Sequence, residues 1–341
     1  MYDFDEIIDR QHTNALSTDG FRGYIFHAGP EKVFPYKDDE FVRMWVADMD
    51  FGVAPEILDE MRKRIDRRIF GYTGVYDHDY YNSFAKWCKD HYDWEFPEEE
   101  LCFSPGIIPA LYQLTETLCT PDEKVLINTP AYGYFLHAAE YAHVESIYSP
   151  LKKRADGAFV LDDENFEAQC ANPQCKLVFW CNPQNPSGRM WTEEELARVA
   201  QIVEKYNLWI ISDEIHCDLI RCGKKHIPMA KVMKDYPKLI TCMAPSKTFN
   251  LAGLAFSNII IRDPGLRARF KDRDKLFGMV NPMSLTAAKA AYDKGGSWLE
   301  GGNALFVGNA AGYIRLNLAM PRSVIRTGLE RIRDAVRAYR G

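Results

Sequence analysis

The sequence is missing several features that would fix a cellular class at once. No stretch approaches the ~18 consecutive apolar residues of a membrane helix. The first ten residues, MYDFDEIIDR, hold four acids where a signal peptide would hold an apolar run, so the expected location is the cytoplasm and no membrane contact is expected. Close cysteine pairs are absent as well. The nine cysteines are irregularly spaced, and the nearest pairs, Cys170/Cys175 and Cys217/Cys222, each enclose four residues. Reduced, mostly buried thiols are therefore expected, without disulfides and without a metal site. Nor is there an excess of positive charge: 42 Lys and Arg against 48 Asp and Glu leave a net −6, which argues against a nucleic-acid partner. The basic cluster Arg62, Lys63, Arg64, Arg67 and Arg68 is interrupted by acidic and apolar neighbours and reads as a solvated helix face. Repeats and low-complexity tracts are absent too.

What is present is a chain of 341 residues, 47% hydrophobic and 13% aromatic, with material for a large core or two domains. Continuous apolar runs at Val125–Asn128, Lys176–Cys181, Leu208–Ser212, Leu239–Met243 and Asn258–Ile261 read as buried strands. Helical patterns alternate with them. The clearest starts at Thr192, where Thr192 and Glu195 have capping-box spacing and Leu196, Val199, Ala200, Ile202 and Val203 make an apolar stripe up to Asn207. This rhythm predicts a mostly parallel sheet covered on both faces, an α/β fold. Ala54–Ile69 and His78–His91 read as helices joined by the turn Phe70-Gly71-Tyr72-Thr73-Gly74. Ser284–Lys294 reads as a helix, Tyr313–Leu318 as a strand, and Ser323–Tyr339 as a terminal helix capped by Ser323. Between Lys294 and Tyr313, four glycines fall within the eight residues 295–302 and predict a loop or linker.

Three segments end expected strands with polar residues, where open α/β sheets place their ligands. Asn182-Pro183-Gln184-Asn185-Pro186-Ser187-Gly188 is a fixed turn presenting an amide. In Ser212-Asp213-Glu214-Ile215-His216 an acid ends a very apolar strand, which is costly without a cationic partner. Ala244-Pro245-Ser246-Lys247-Thr248-Phe249-Asn250 holds a lysine in a turn, where partial burial would free its amine to attack a carbonyl. Amide, carboxylate and lysine in that order on successive strands are what pyridoxal phosphate (PLP) requires.

Together with Leu251-Ala252-Gly253, these segments resemble the fold-type I PLP enzymes, aminotransferase class I/II. Trp45-Val46-Ala47-Asp48-Met49-Asp50-Phe51, with Tyr2–Asp5 and Ile8-Asp9-Arg10 upstream, is similar to the narrower cystathionine β-lyase group of C–S lyases. The resemblance implies a three-layer α/β/α PLP-dependent transferase fold with a smaller α/β domain. It implies that Lys247 bears the cofactor and then moves the substrate α-proton, that Asp213 faces the ring nitrogen, and that Asn185 faces the phenolic oxygen. By the same resemblance Tyr132 stacks on the ring and Gly106, Ile107 and Ile108 cradle the phosphate, with Ser246 adding a hydroxyl. Tyr72 matches a tyrosine that reaches the neighbouring subunit's phosphate, which implies a homodimer with shared sites. Arg315 matches the arginine that clamps the α-carboxylate of a small amino-acid substrate, and Ala47 and Asp48 line the substrate pocket.

Two departures from the family pattern stand out. Many class I aminotransferases have a tyrosine three residues after the aspartate and an arginine eight after the lysine; here these are His216 and Ala255. His216 is expected to help tune the phenolic oxygen. In addition, only ten residues separate Glu300 from Ala311, so the small domain is expected to be abridged. The expected organisation is an N-terminal segment (1–40) contributing to the small domain, a PLP-binding domain (41–295) and a small-domain remnant (296–341). The expected reaction is α,β-elimination from cystathionine- or cysteine-like amino acids. Transamination of small amino acids, and a PLP-binding regulator or scaffold with little turnover, stay open as alternatives.

Overall fold

The computed structural model describes residues 2–220, 224–277, 280–301, 316 and 318–340. Among them, β1 (Leu101–Ser104), β2 (Lys124–Thr129), β3 (Glu145–Pro150), β6 (Cys175–Cys181), β7 (Trp209–Asp213), β8 (Leu239–Met243) and β9 (Ser257–Ile261) form one sheet; β4 (Lys152–Lys153) and β5 (Phe159–Val160) form a small ribbon. The order across the sheet is β1-β9-β8-β7-β6-β2-β3. Strands β3, β2, β6, β7 and β8 pair in parallel, and β9 runs antiparallel to both of its neighbours.

Both faces of the sheet are dry at β6, β7, β8 and β9, which is why these strands are continuously apolar rather than alternating. In β6, Leu177, Phe179 and Cys181 enter one buried cluster while Val178 and Trp180 enter the other. The first cluster is closed by α4 (Ile107–Leu118), α5 (Gly133–Tyr141) and α10 (Pro264–Phe277). The second is closed by α2 (Pro55–Asp66), α3 (Asp79–Tyr92), α6 (Asp163–Cys170), α7 (Glu193–Lys205), α8 (Met229–Val232) and α11 (Pro282–Lys294). Three layers result, as expected. Helix α7 starts as its sequence specifies: the Thr192 hydroxyl accepts the Glu195 N–H at 3.3 Å, and the Glu195 carboxylate accepts the Thr192 N–H at 2.8 Å. The basic stretch of α2 is a solvated face in which Arg62 pairs with Asp59 and Lys63 with Glu60.

The two ends of the chain lie together. Helix α1 (Phe21–Phe26) begins an aromatic cluster in which Phe21 packs 5.1 Å from Phe41 and Phe26 lies 4.8 Å from Phe34. Against it runs α13 (Arg322–Arg340), so closely that a Cβ on Gly328 would come 2.6 Å from Met44 Sδ. Here two expectations are corrected. Ser323 lies inside α13 rather than capping it, and the Arg322 N–H instead donates to Asp5 Oδ1 at 3.2 Å. The glycine-rich junction contains a helical turn, α12 (Gly296–Gly301), whose Trp298 is buried 5.5 Å from Phe4. The expected strand at 313–318 falls outside the described residues except for Leu316 and Leu318, which are not in a strand. Strands β1 and β3 were not expected from the sequence.

All eight described cysteines are free, buried thiols, and Cys222 lies outside the described residues. Among the described residues no helix is long and apolar enough to cross a membrane.

Candidate active site

The parallel strands end side by side, Cys181 of β6 in register with Asp213 of β7 and Asp213 with Cys242 of β8. The turn after β6 carries Asn185, β7 itself ends in Asp213, and one-turn helix α9 (Pro245–Thr248), which follows β8, carries Lys247. Adjacent strands thus bring the three residues to one edge of the sheet. Asp213 is only 4% exposed and accepts the Ile215 N–H at 3.2 Å. Burial raises its carboxyl to about 7; the Ile215 N–H opposes this, the neighbouring Glu214 charge adds to it, and the Lys247 charge opposes it. The flanking Cys181 and Cys242 thiols are pushed well up by burial and, secondarily, by Asp213, so they stay protonated.

Pro245 opens α9, a position where its missing N–H costs nothing. From this turn Lys247 Nζ donates to the Ala47 carbonyl at 2.6 Å. Ala47 belongs to the Trp45–Phe51 segment, and the Asn250 side chain sews that segment down. Its oxygen accepts the Met49 N–H at 3.1 Å, and its amide donates to the Met49 and Phe51 carbonyls at 3.0 and 2.9 Å. Asn250 has a φ of 57°, a left-handed conformation that asparagine tolerates better than most residues. Arg10 holds the same segment, donating to Asp48 at 2.7 Å and Asp50 at 3.0 Å. The motifs above contain Arg10 and Asn250 but gave neither a role, because their partners are distant in sequence.

The remaining turns leave the same edge. Gln184 Nε2 donates to the Pro130 carbonyl at 2.6 Å, tying the Asn185 turn to the loop that carries Tyr132. The Asn185 N–H donates to Cys181 Sγ at 3.3 Å. Tyr132 precedes the first residue of α5, its ring 5.3 Å from that of Tyr134. Gly106 occupies the capping position of α4 without a side chain, and an added Cβ would lie 3.3 Å from Pro109 Cδ. The first N–H groups of this helix, including those of Ile107 and Ile108, have no intrahelical acceptor, and the helix dipole there favours an anion. Ser246 lies in α9 beside Lys247. His216 sits partly buried in the turn after Asp213. That turn is fixed by buried Glu214, which accepts from Ser212 Oγ at 2.8 Å and the Met229 N–H at 2.9 Å and meets His226 Nε2 at 2.6 Å. Tyr72 is not brought to this set, being 94% exposed. Arg315 lies outside the described residues.

This donor set suits PLP. It offers an amine on a fixed turn, a buried carboxyl whose raised pKa would be relieved by a positive ring nitrogen, and a helix start kept open by a residue without Cβ. Comparison with known proteins agrees. The family model for aminotransferase class I and II matches residues 40–303. Cystathionine beta-lyase PatB of Bacillus subtilis is 36% identical over 294 residues, covering 85% of this chain and 73% of that protein. Protein MalY of Escherichia coli is 31% identical over 307 residues, covering 88% and 74%. Among solved structures, the PLP-bound C–S lyase from Staphylococcus hominis superposes with a TM-score of 0.91 at 37% identity, covering 98% of each chain. PLP-containing cystalysin from Treponema denticola superposes with a TM-score of 0.88 at 29% identity, covering 99% of this chain and 100% of that one. With its fold-type I architecture, this chain belongs to the aminotransferase class I and II family.

Proposed function

We propose that the protein is a PLP-dependent carbon–sulfur β-lyase that cleaves cystathionine- or cysteine-like amino acids to a thiol, pyruvate and ammonia. The observation that carries this reading is the Lys247 Nζ contact with the Ala47 carbonyl, because it sets the lyase-like Trp45–Phe51 segment directly against the lysine. When bound, PLP would supply an electron sink for the carbanion at the substrate α-carbon.

The protein's own groups have separable tasks. Lys247 Nζ would hold the cofactor, and as a free amine it takes the proton from the substrate α-carbon. Asp213 supplies negative charge at the buried floor and would keep the ring nitrogen protonated. Asn185 and His216 would hold the phenolic oxygen, Tyr132 would cover the ring, and Gly106, Ile107, Ile108 and Ser246 would hold the phosphate. Asp48, fixed by Arg10, shapes the substrate side with Ala47, and Arg315 holds the α-carboxylate. As the Cα–H and Cβ–S bonds break, the sulfur leaves as a thiol with one proton, and water converts the remaining three-carbon fragment to pyruvate and ammonia.

We assign the first forty residues and residues 296–341 to one small lobe. Asp5–Arg322, Tyr2–Ser297 (2.9 Å) and the Arg331 bond to the Glu40 carbonyl support this by joining the two ends. We also assign a homodimer, on the exposure of Tyr72 (94%) and Tyr76 (92%). A cavity of about 640 Å³ lined by Tyr76, Ser104, Pro105, Ala255 and Phe256 runs from that exposed strap to the turn before Gly106. The buried thiols suit a reducing cytoplasm.

Incubation of the PLP-supplemented protein with L-cystathionine or L-cysteine should release pyruvate, and Lys247→Ala should abolish the release. Keto-acid formation that depends on 2-oxoglutarate, without pyruvate, would make the protein an aminotransferase; neither product would leave it a PLP-binding regulator.

A further inference from the structure

Behind the lysine turn lies a carboxylate to which neither the family motifs nor the proposed mechanism gives a task. Asp218 ends the turn that begins at Asp213. Its Oδ2 accepts the Thr248 hydroxyl at 2.6 Å, and its Oδ1 accepts Trp87 Nε1 at 3.1 Å and the Tyr92 hydroxyl. Thr248 is fully buried, and Trp87 and Tyr92 are buried on α3. Burial, with Asp218 itself as the next contributor, pushes the Tyr92 phenol well up, so it remains a donor. Tyr92 also reaches Cys217 Sγ at 3.2 Å.

Three donors converging on one carboxylate make a rigid joint, because each bond to a charged acceptor is stronger than a neutral one and fixes a direction. The joint connects three elements: the turn that carries Asp213, the helical turn that carries Lys247, and α3 in the helical layer. Thr248 is the residue after Lys247, so its bond limits how far α9 can rotate on Phe249 and Pro245. A rotation of that turn would move Nζ relative to the Asp213 carboxyl and the Ala47 carbonyl together. Displacements of about 1 Å at a reacting group cost roughly a hundredfold in rate.

We infer that Asp218, acting through Thr248, is the positioning residue for Lys247. It sets the spacing between the amine and the floor carboxylate without touching substrate or cofactor. The inference rests on Lys247 being the residue that bears the cofactor.

The test uses Thr248→Val, which deletes one hydroxyl and leaves the other Asp218 bonds intact, and Thr248→Ser, which keeps the hydroxyl. Asp218→Asn is a third variant that retains one acceptor. Borohydride treatment of the PLP-loaded wild type followed by peptide mapping first establishes the attachment point; a label elsewhere than Lys247 overturns the reading and the inference together. The expected result for Thr248→Val is a kcat about tenfold lower with KM within about twofold of wild type, and Thr248→Ser close to wild type. In the cofactor-free protein, the pH midpoint for acetylation of Lys247, read by mass spectrometry, should move by more than about 0.3 unit in Thr248→Val while surface lysines stay put. Asp218→Asn should move it in the same direction. A Thr248→Val protein with lowered thermal stability but an unchanged Lys247 midpoint and kcat overturns the inference. So does a Thr248→Ser protein as impaired as the valine variant.

Discussion

Asp213 carries the electrostatic tension of the site. Its carboxyl, raised by burial from an ordinary 3.8 to about 7, binds a proton in the folded cofactor-free protein at pH values where the unfolded chain has lost it. The folded state then holds more protons than the unfolded one, so stability falls as pH rises from about 4 to about 7 and is flat above. The shift corresponds to about 4 kcal/mol at neutral pH. Asp213→Asn removes the ionisable group. In the cofactor-free form it should therefore gain stability relative to wild type by up to about 4 kcal/mol at pH 8, with little difference at pH 4. Urea unfolding at the two pH values checks this, and equal differences at both would refute the assignment of burial as the cause. Loaded with PLP, the same variant should lose lyase activity. Lys247, Asp213 and Asn185 were legible in the sequence because each sits a fixed few residues beyond an apolar run. Arg10, Asn250 and Asp218 were not: Asn250 bonds Met49 across 201 positions, and Asp218 meets Trp87 across 131. No local pattern encodes pairs so far apart.

Elements with a dry environment on both sides announced themselves, and the others did not. Strands β6, β7, β8 and β9 are short apolar runs, whereas β3 at the sheet edge, Glu145–Pro150, keeps Glu145 and Tyr148 exposed and has no run to detect. Four-residue β1 is too short to give a periodicity. The start of α13 was misplaced for the same reason as the missed side chains, since its capping acceptor, Asp5, comes from 317 positions away. The glycines at 295–301 suggested slack, yet Gly295 is a packing requirement. A Cβ there would meet Phe249 Cε1 at 2.4 Å and the Ala291 carbonyl at 2.6 Å, and Phe249 is the second residue after Lys247. Because the carbonyl cannot move away like a flexible side chain, Gly295→Ala should destabilise the protein by about 1–3 kcal/mol. It should also lower kcat by shifting Phe249. A urea midpoint indistinguishable from wild type would show that the helix end can relax and that the glycine is replaceable.

For the whole molecule, the exposed aromatics of the strap are the feature a lone chain does not account for. Phe70, Tyr72 and Tyr76 lie within seven residues and are 54, 94 and 92% exposed, a density of large apolar surface that favours a contact with another chain. The same strap borders the cavity that reaches the turn before Gly106, where the phosphate would sit. A second copy seated there by two-fold symmetry would place each chain's Tyr72 beside the other chain's phosphate cradle, so that each site draws on both chains. Complementation reads this directly. Tyr72→Ala and Lys247→Ala homodimers should each be impaired, the first in phosphate binding and the second in chemistry. After dissociation and reassociation of an equal mixture, about half the dimers are mixed, and each mixed dimer has one site with both native residues and one with neither. Activity should therefore recover to about a quarter of wild type. If Tyr72 served its own chain's site, every site in the mixture would keep one defect and no recovery would occur. Sedimentation of the mixture, run alongside, separates that outcome from a failure to reassociate, and a monomeric wild type in the same run would remove the shared-site arrangement altogether.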